Sequence, residues 1–366
     1  MDKKRKYIFF IILFFGLIVG NVCLARPANF GKLWVRSHPF TLMGLKLNPH
    51  FLDLNRYKGA GLNALLSWED PAKLAGLAAK KGFPWHAHIR PADKGVTSFI
   101  KTLVANTARY PGGYGWLIHD EPSYLQLAGM GKVMSWLRQA HPTGLIYGNA
   151  FPSYASSTQL YGNNSVPNYR WDRYLDDFIR ILKPDVLMWD YYPFSSDGKT
   201  RKTYFSDLMV IRQKALANKI PYWAFLQTWA DKNSRLPSES DLRMNVFSFL
   251  TAGYTGLAYF TYDKFQGGGL IDSTGKPLPL YAVAAKINLE VAHLGKKLRF
   301  LTSTDVRFLA GKQMFLKIIP RVNPTPSGLN LWSSGAGGDH LLIGASVDVS
   351  NKATFGESRN GLLGFL

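Results

Sequence analysis

Residues 115–124 read GWLIHDEPSY. An apolar run, Trp116-Leu117-Ile118, stops in His119-Asp120-Glu121-Pro122, and three ionisable side chains in succession are costly to bury at a strand end. Carboxyls so placed have a chemical use. One kept protonated by low dielectric and a nearby carboxylate can donate a proton, and a second, ionised one can act as base or nucleophile. Glu121 is the candidate acid/base. Asp190 closes another apolar run, in VLMWDYYPF, and is the candidate second carboxylate. Strand alternation puts Met188, Asp190 and Tyr192 on one face, so Tyr192 could hydrogen-bond Asp190 and keep it ionised. Asp120 ranks third. It could raise the pKa of Glu121, yet the same alternation would turn it toward a helix layer and an Arg.

Polar and aromatic residues close several other apolar runs. They are Ser67 and Trp68; His86, His88 and Arg90; His119; Asn149; Tyr191 and Tyr192; Gln227 and Trp229; and Tyr262 and Asp263. Read as one ring, they describe a polar cleft with aromatic walls, suited to binding hydroxyl-rich substrate. Arg90 could fix a carboxylate or orient a catalytic acid. His86 and His88 alternate and share one face, but no HExxH or comparable ligand spacing accompanies them, so no metal is expected. No cofactor is expected either: GGYG and QGGG have neither the spacing nor the position of a nucleotide-binding loop.

The elements that must position these groups are eight short apolar segments, mostly alternating with helix-like stretches. They run Phe40 to Leu47, Gly61 to Trp68, Pro84 to Arg90, Gly115 to Glu121, Gly144 to Ala150, Asp185 to Tyr192, Tyr222 to Trp229 and Gly256 to Tyr262. Strands alternating with helices imply a parallel sheet. Eight such units in ~255 residues imply a closed (β/α)8 TIM barrel, whose functional groups sit at the C-terminal ends of its strands. The barrel is expected over residues 26–299. After about residue 300, short β-like runs such as VRFLAG and HLLIGASVDV predict a small antiparallel domain over 300–366, ending in an apolar run that suggests an incomplete tail.

On these residues the chain resembles glycoside hydrolase clan A. Strand four ends in DEP where clan A has NEP, whose Glu is the general acid/base. The block from NVFSFLTAGYTGLAYFTY to the last helix is similar to the end of clan-A-like barrels, chiefly those of the β-galactosidase-type family 42 and uncharacterised bacterial glycosidases. The resemblance covers roughly residues 40 to 298 and implies hydrolysis of glycosidic bonds in a poly- or oligosaccharide. It departs at strand seven, where clan A has a nucleophilic Glu and this chain has Gln227. The second carboxylate must then come from Asp190, or from Asp231 just past strand seven. Otherwise the barrel only binds sugar.

Composition supports a folded, exported protein. Of 366 residues, 46% are hydrophobic and 14% aromatic, enough for a large core. Lys3, Lys4, Arg5 and Lys6 precede an apolar stretch of about 13 to 18 residues, short against the ~20 of a membrane span. Cys23-Leu24-Ala25 supplies small residues for cleavage, so 1–25 is expected to be a signal peptide, with a secreted or periplasmic product and no stable membrane anchor. Cleavage there would remove the only cysteine. The formal charge is +20 and stays about +17 without residues 1–25. Such a surface attracts polyanions, and an acidic polysaccharide suits an exported protein better than nucleic acid, for which no motif is present.

Overall fold

The computed structural model describes residues 26–309, 341–347 and 362–365. The expected leader with Cys23, and much of the region after 309, lie outside the described residues. Eight parallel strands close into a barrel: β1 (Thr41–Lys46), β2 (Ala64–Ser67), β3 (Trp85–Ile89), β4 (Gly113–Asp120), β5 (Leu145–Ala150), β6 (Leu187–Asp190), β7 (Tyr222–Gln227) and β8 (Gly256–Phe260). Each falls in or overlaps an expected segment. The helices are α1 (Phe30–Ser37), α2 (Leu54–Gly59), α3 (Pro71–Ala79), α4 (Ser98–Ala108), α5 (Tyr124–Ala140), α6 (Ser157–Tyr161), α7 (Trp171–Leu182), α8 (Tyr204–Ala217), α9 (Glu239–Thr251) and α10 (Pro279–Leu298). Beyond the barrel, β9 (Thr302–Leu309), β10 (Leu341–Val347) and β11 (Leu362–Phe365) form an antiparallel sheet in the order β11-β10-β9. Among the described residues no helix is long and apolar enough to cross a membrane.

The period of two along each strand divides the core into two layers. Met43, Leu45, Leu66, Leu117, Tyr147, Met188, Trp223 and Phe225 fill the barrel interior. Leu42, Leu65, Ile118, Ile146, Trp189, Leu226 and Tyr259 face the helices. Sequence periodicity did not single out α1. It lies at the N-terminal end of the barrel, where the Trp34 ring meets those of Tyr114 (5.5 Å), His86 (6.2 Å) and Trp223 (6.2 Å). Gly31 makes this seat possible, because a Cβ there would fall 1.7 Å from the Asp185 carbonyl oxygen. Arg26 fastens the start of α1 to the same end, donating to the Gly144 carbonyl (2.7 Å) and to Asp185 (3.0 Å).

Candidate active site

The C-terminal end of β4 departs from regular strand. His119 and Glu121 have φ of +61° and +46°, a region that non-glycine residues rarely occupy. The pairing with β5 shifts between Leu117 and Asp120, which brings Asp120 opposite Asn149. The Glu121 N–H donates to the Asn149 carbonyl (3.0 Å), and the Tyr174 hydroxyl donates to the Pro122 carbonyl (2.9 Å). Ser123 and Gln126 then form the capping box that starts α5. The kinked strand end is therefore tied down on both sides of Glu121.

This kink corrects the expected orientation of Asp120. Instead of facing the helices and an Arg, its Oδ1 accepts from Asn149 Nδ2 (2.9 Å). The same Nδ2 donates to Asp190 Oδ1 (3.1 Å). Asp190 and Tyr192 do share the inward face of β6, and the Tyr192 hydroxyl donates to Asp190. Glu121 also hydrogen-bonds Asp190. Three carboxyls thus meet around one buried amide.

Burial raises all three acids, and their mutual repulsion adds to it for Glu121 and Asp190. The two partners are not equivalent. Asp190 receives stabilising hydrogen bonds from Asn149, Tyr192 and Glu121, whereas Glu121 gains none and is raised further. Glu121 is therefore the partner that holds a proton more tightly, and Asp190 the one that ionises more readily.

Trp68 stacks on His88, centroids 3.9 Å apart and planes within 18°, and Arg90 also lies over the indole, 5.1 Å from its centroid. Arg90 is ion-paired with Glu69, and its charge also favours the ionised form of Asp120. His88 is buried and neither ring nitrogen has a partner. Burial, with the Arg90 and His119 charges, pushes its pKa down to about 3, so it is neutral. The His119 ring turns back on the Asp120 backbone and toward Gln126. Trp229 sits across the mouth, edge-on to Tyr192 (5.5 Å), Phe260 (6.0 Å) and Phe265 (6.0 Å).

Four expected cleft residues lie elsewhere or are already engaged. His86 shares the inward face with His88, but two residues deeper. It is fully buried, bonded to the Tyr147 hydroxyl (3.0 Å), and lowered by burial to about 3. Gly115 on β4 leaves the room for its ring. Tyr191 faces the helix layer, where its hydroxyl meets Thr203 (2.8 Å). Tyr262 also faces outward, against Tyr57 at 4.6 Å. Gln227 points inward, but its carboxamide is fully occupied. Its Oε1 accepts from the Phe194 N–H (3.0 Å), and its Nε2 donates to the carbonyls of Arg235 (2.9 Å), Phe194 (3.3 Å) and Trp229 (3.3 Å). It fastens two loops, and β7 contributes no carboxylate. Asp231 is folded into its own turn, accepting from the Asn233 N–H (2.9 Å).

Sequence reading missed three contributors, Tyr154, Arg201 and Lys46; Asp263, the partner of Lys46, was among the expected strand-end groups. Tyr154, in the β5–α6 connection, is 46% exposed, and its ring meets Tyr191 edge-on at 5.3 Å. Burial raises its pKa, and the charges of Asp190 and Glu121 raise it further. Arg201, in the β6–α8 connection, lies over the Tyr154 ring at 4.9 Å. Lys46 and Asp263 form a buried pair (2.6 Å) at the ends of β1 and β8, and Asp263 also accepts from the N–H groups of Leu47 (2.6 Å) and Asn48 (3.0 Å). Among the described residues, no group of three His, Cys, Asp or Glu is placed to hold a metal ion.

No family model and no curated protein matches the sequence. The fold has many counterparts among solved structures. An endo-β-1,4-mannanase from Thermotoga petrophila aligns over 87% of this chain and 86% of its own, with a TM-score of 0.50 and 12% identity. A GH128 endo-β-1,3-glucanase from Amycolatopsis mediterranei, in complex with laminarihexaose, aligns over 68% of this chain and 99% of its own at TM-score 0.44 and 15% identity. The carboxyl transferase domain of pyruvate carboxylase from Rhizobium etli aligns over 75% of this chain and 50% of its own at TM-score 0.45 and 13% identity. Glycoside hydrolases recur among these neighbours, and at such identities the likeness is one of fold alone.

Proposed function

We propose that the barrel is an exported glycoside hydrolase in which Glu121 is the general acid/base and Asp190 the nucleophile. One observation carries the reading: Glu121 and Asp190 hydrogen-bond each other at the mouth of the barrel, with Asn149 and Tyr192 both donating to Asp190. A glycosidase needs one protonated and one ionised carboxyl flanking the bond it cleaves. The raised Glu121 supplies the first at neutral pH, and the hydrogen-bonded Asp190 supplies the second. Carboxyls in contact leave no room for the water that an inverting pair holds across ~6.5–9.5 Å. Retention, through a glycosyl-Asp190 intermediate, is therefore the stereochemistry we assign, with sugar entry parting the pair to ~5–5.5 Å. Trp68 and Trp229 offer ring faces or edges on opposite walls for sugar stacking. Export rests on the basic and apolar pattern of residues 1–25. The family 42 likeness rests on the eighth-strand block alone, since β7 lacks the carboxylate that clan A uses.

The test is hydrolysis of a glycan panel by wild type, Glu121→Gln and Asp190→Gly. The expected result is a fall of about 10² to 10⁴ in rate for Glu121→Gln, and formation of a glycosyl azide by Asp190→Gly in added azide. Undiminished turnover by Glu121→Gln would end the assignment. Glycan binding without hydrolysis by wild type would favour a sugar-binding barrel instead.

A further inference from the structure

Two arginines reach the mouth, each over an aromatic ring, and their surroundings differ. Arg90, over Trp68, is neutralised by Glu69. Arg201, over Tyr154, has no carboxylate partner among the described residues. Its Nε donates to the Tyr192 carbonyl (3.0 Å), and its backbone N–H donates to the Pro193 carbonyl (2.8 Å). Both terminal nitrogens of the guanidinium are left unengaged, on a side chain whose position is fixed at Nε.

Tyr154 links this cation to the carboxyl pair. Its hydroxyl bonds the backbone of Tyr192, whose carbonyl holds Arg201 and whose phenol holds Asp190. The influences on Asp190 and Glu121 come from burial, from Asp120, Asn149 and Tyr192, and from each other. Arg201 acts instead on Tyr154 and Tyr191. It thus shares Tyr154 and Tyr192 with the pair without serving as its counter-ion, and a sugar at Glu121 and Asp190 that extends over these two tyrosines would bring its next substituents to the free guanidinium edge.

We propose that Arg201 is a specificity-determining residue, taking the carboxylate of a uronic acid unit of the substrate on its two free terminal nitrogens and so selecting acidic glycans. This rests on the glycosidase reading of the Glu121–Asp190 pair. A planar guanidinium matches a carboxylate by two parallel N–H bonds, which an ammonium cannot reproduce. The strongly positive chain, +20 overall, raises the local concentration of polyanions around the protein. A neutral glycan would leave Arg201 with water alone.

The experiment uses the full protein and a panel of uronic acid oligosaccharides, each paired with its carboxyl-reduced neutral counterpart, plus one sulfated glycan. Hydrolysis is measured for wild type, Arg201→Gln and Arg201→Lys, and binding is measured on the inactive Glu121→Gln background. Wild type should prefer the acidic member of a pair. Arg201→Gln should raise KM for that member by about 10- to 100-fold, the range for a lost charge-assisted bond, with little change for the neutral member. Arg201→Lys should recover only part of the preference, which separates recognition from lost fold. Cleavage of neutral glycans with no preference, or equal loss on both members in Arg201→Gln, overturns the proposal and leaves the glycosidase reading standing. A preference only for the sulfated chain also overturns it. Arg201-dependent binding of uronates with no cleavage of any glycan keeps the proposal and removes the glycosidase reading. Neither binding nor cleavage removes both.

Discussion

On the β4–β6 side of the mouth, one Asn149 amide bridges two carboxyls, its own Oδ1 has no partner, and a third acid leans on the second. On the side running from β7 through β8 to β1, Gln227 fills its hydrogen-bonding capacity against three loop residues, and Lys46 meets Asp263 in a closed pair. Both sides bury polar groups at strand ends. The second side satisfies its amide and its charges from within, leaving the Trp229 Nε1 just past β7 without a partner. Internal satisfaction makes a rigid rim, whereas crowded acids with raised pKa values keep a reactive state that the fold alone would not favour.

That contrast can be tested from both sides. The largest effect on stability should come from Lys46→Met. It leaves Asp263 buried beside two N–H donors without its cation, and a loss of about 3 to 5 kcal/mol is expected in denaturant unfolding. A loss below about 1 kcal/mol would mean that this pair is not what closes the rim. Gln227→Leu should follow, with about 1 to 3 kcal/mol for stranding the loop carbonyls and the Phe194 N–H. Gln227→Glu should not create a nucleophile on β7, because three of the four contacts are carbonyl oxygens that would repel it. A gain of hydrolysis in that variant would contradict the division of the mouth.

The acidic side responds to pH. Glu121 must be protonated and Asp190 ionised, and both are raised above ordinary carboxylates. Activity is then lost on the acid side as pH falls through the raised value of Asp190, and on the alkaline side as pH rises through that of Glu121. Both limbs of the kcat/KM profile should lie above the ~4 of unperturbed carboxyls. An acid limb at ~4 would show that Asp190 is not crowded in solution.

The smallest effect concerns Asp120. Its folded-state pKa is raised by burial, so its contribution to stability is present in acid and is lost as pH rises through that value. Asp120→Asn should raise Tm by roughly 2 to 3 °C at neutral pH, for about 1 kcal/mol in a domain this size. The gain should vanish as pH falls below the ordinary carboxylate range. A constant gain at all pH values would assign it to packing rather than to charge.

The strands were legible in the sequence because each is a short apolar run with a polar end, and a closed parallel barrel repeats that pattern eight times. Alternation also gave the shared face of Asp190 and Tyr192. It gives face but not depth, which is why His86 and His88 looked alike although one lies in the core and the other beneath Trp68. It fails where the backbone turns to positive φ, so Asp120 was assigned to the wrong side. Tyr191 and Tyr262 were read as cleft residues for their chemistry, although their parity sends them to the helix layer. Tyr154 and Arg201 lie in loops that carry no period, in FPSYASS and SDGKTRKT, and only the folded connections bring them to the mouth.

The placement of α1 has a practical consequence. Arg26 is tied to the segments just before β5 and β6, and Trp34 closes the barrel from that end. Whatever is coupled ahead of Arg26 departs from the face opposite the cleft. The protein can therefore be immobilised through that end on a bead or electrode with its mouth turned outward, open to polymers too large to enter a porous support.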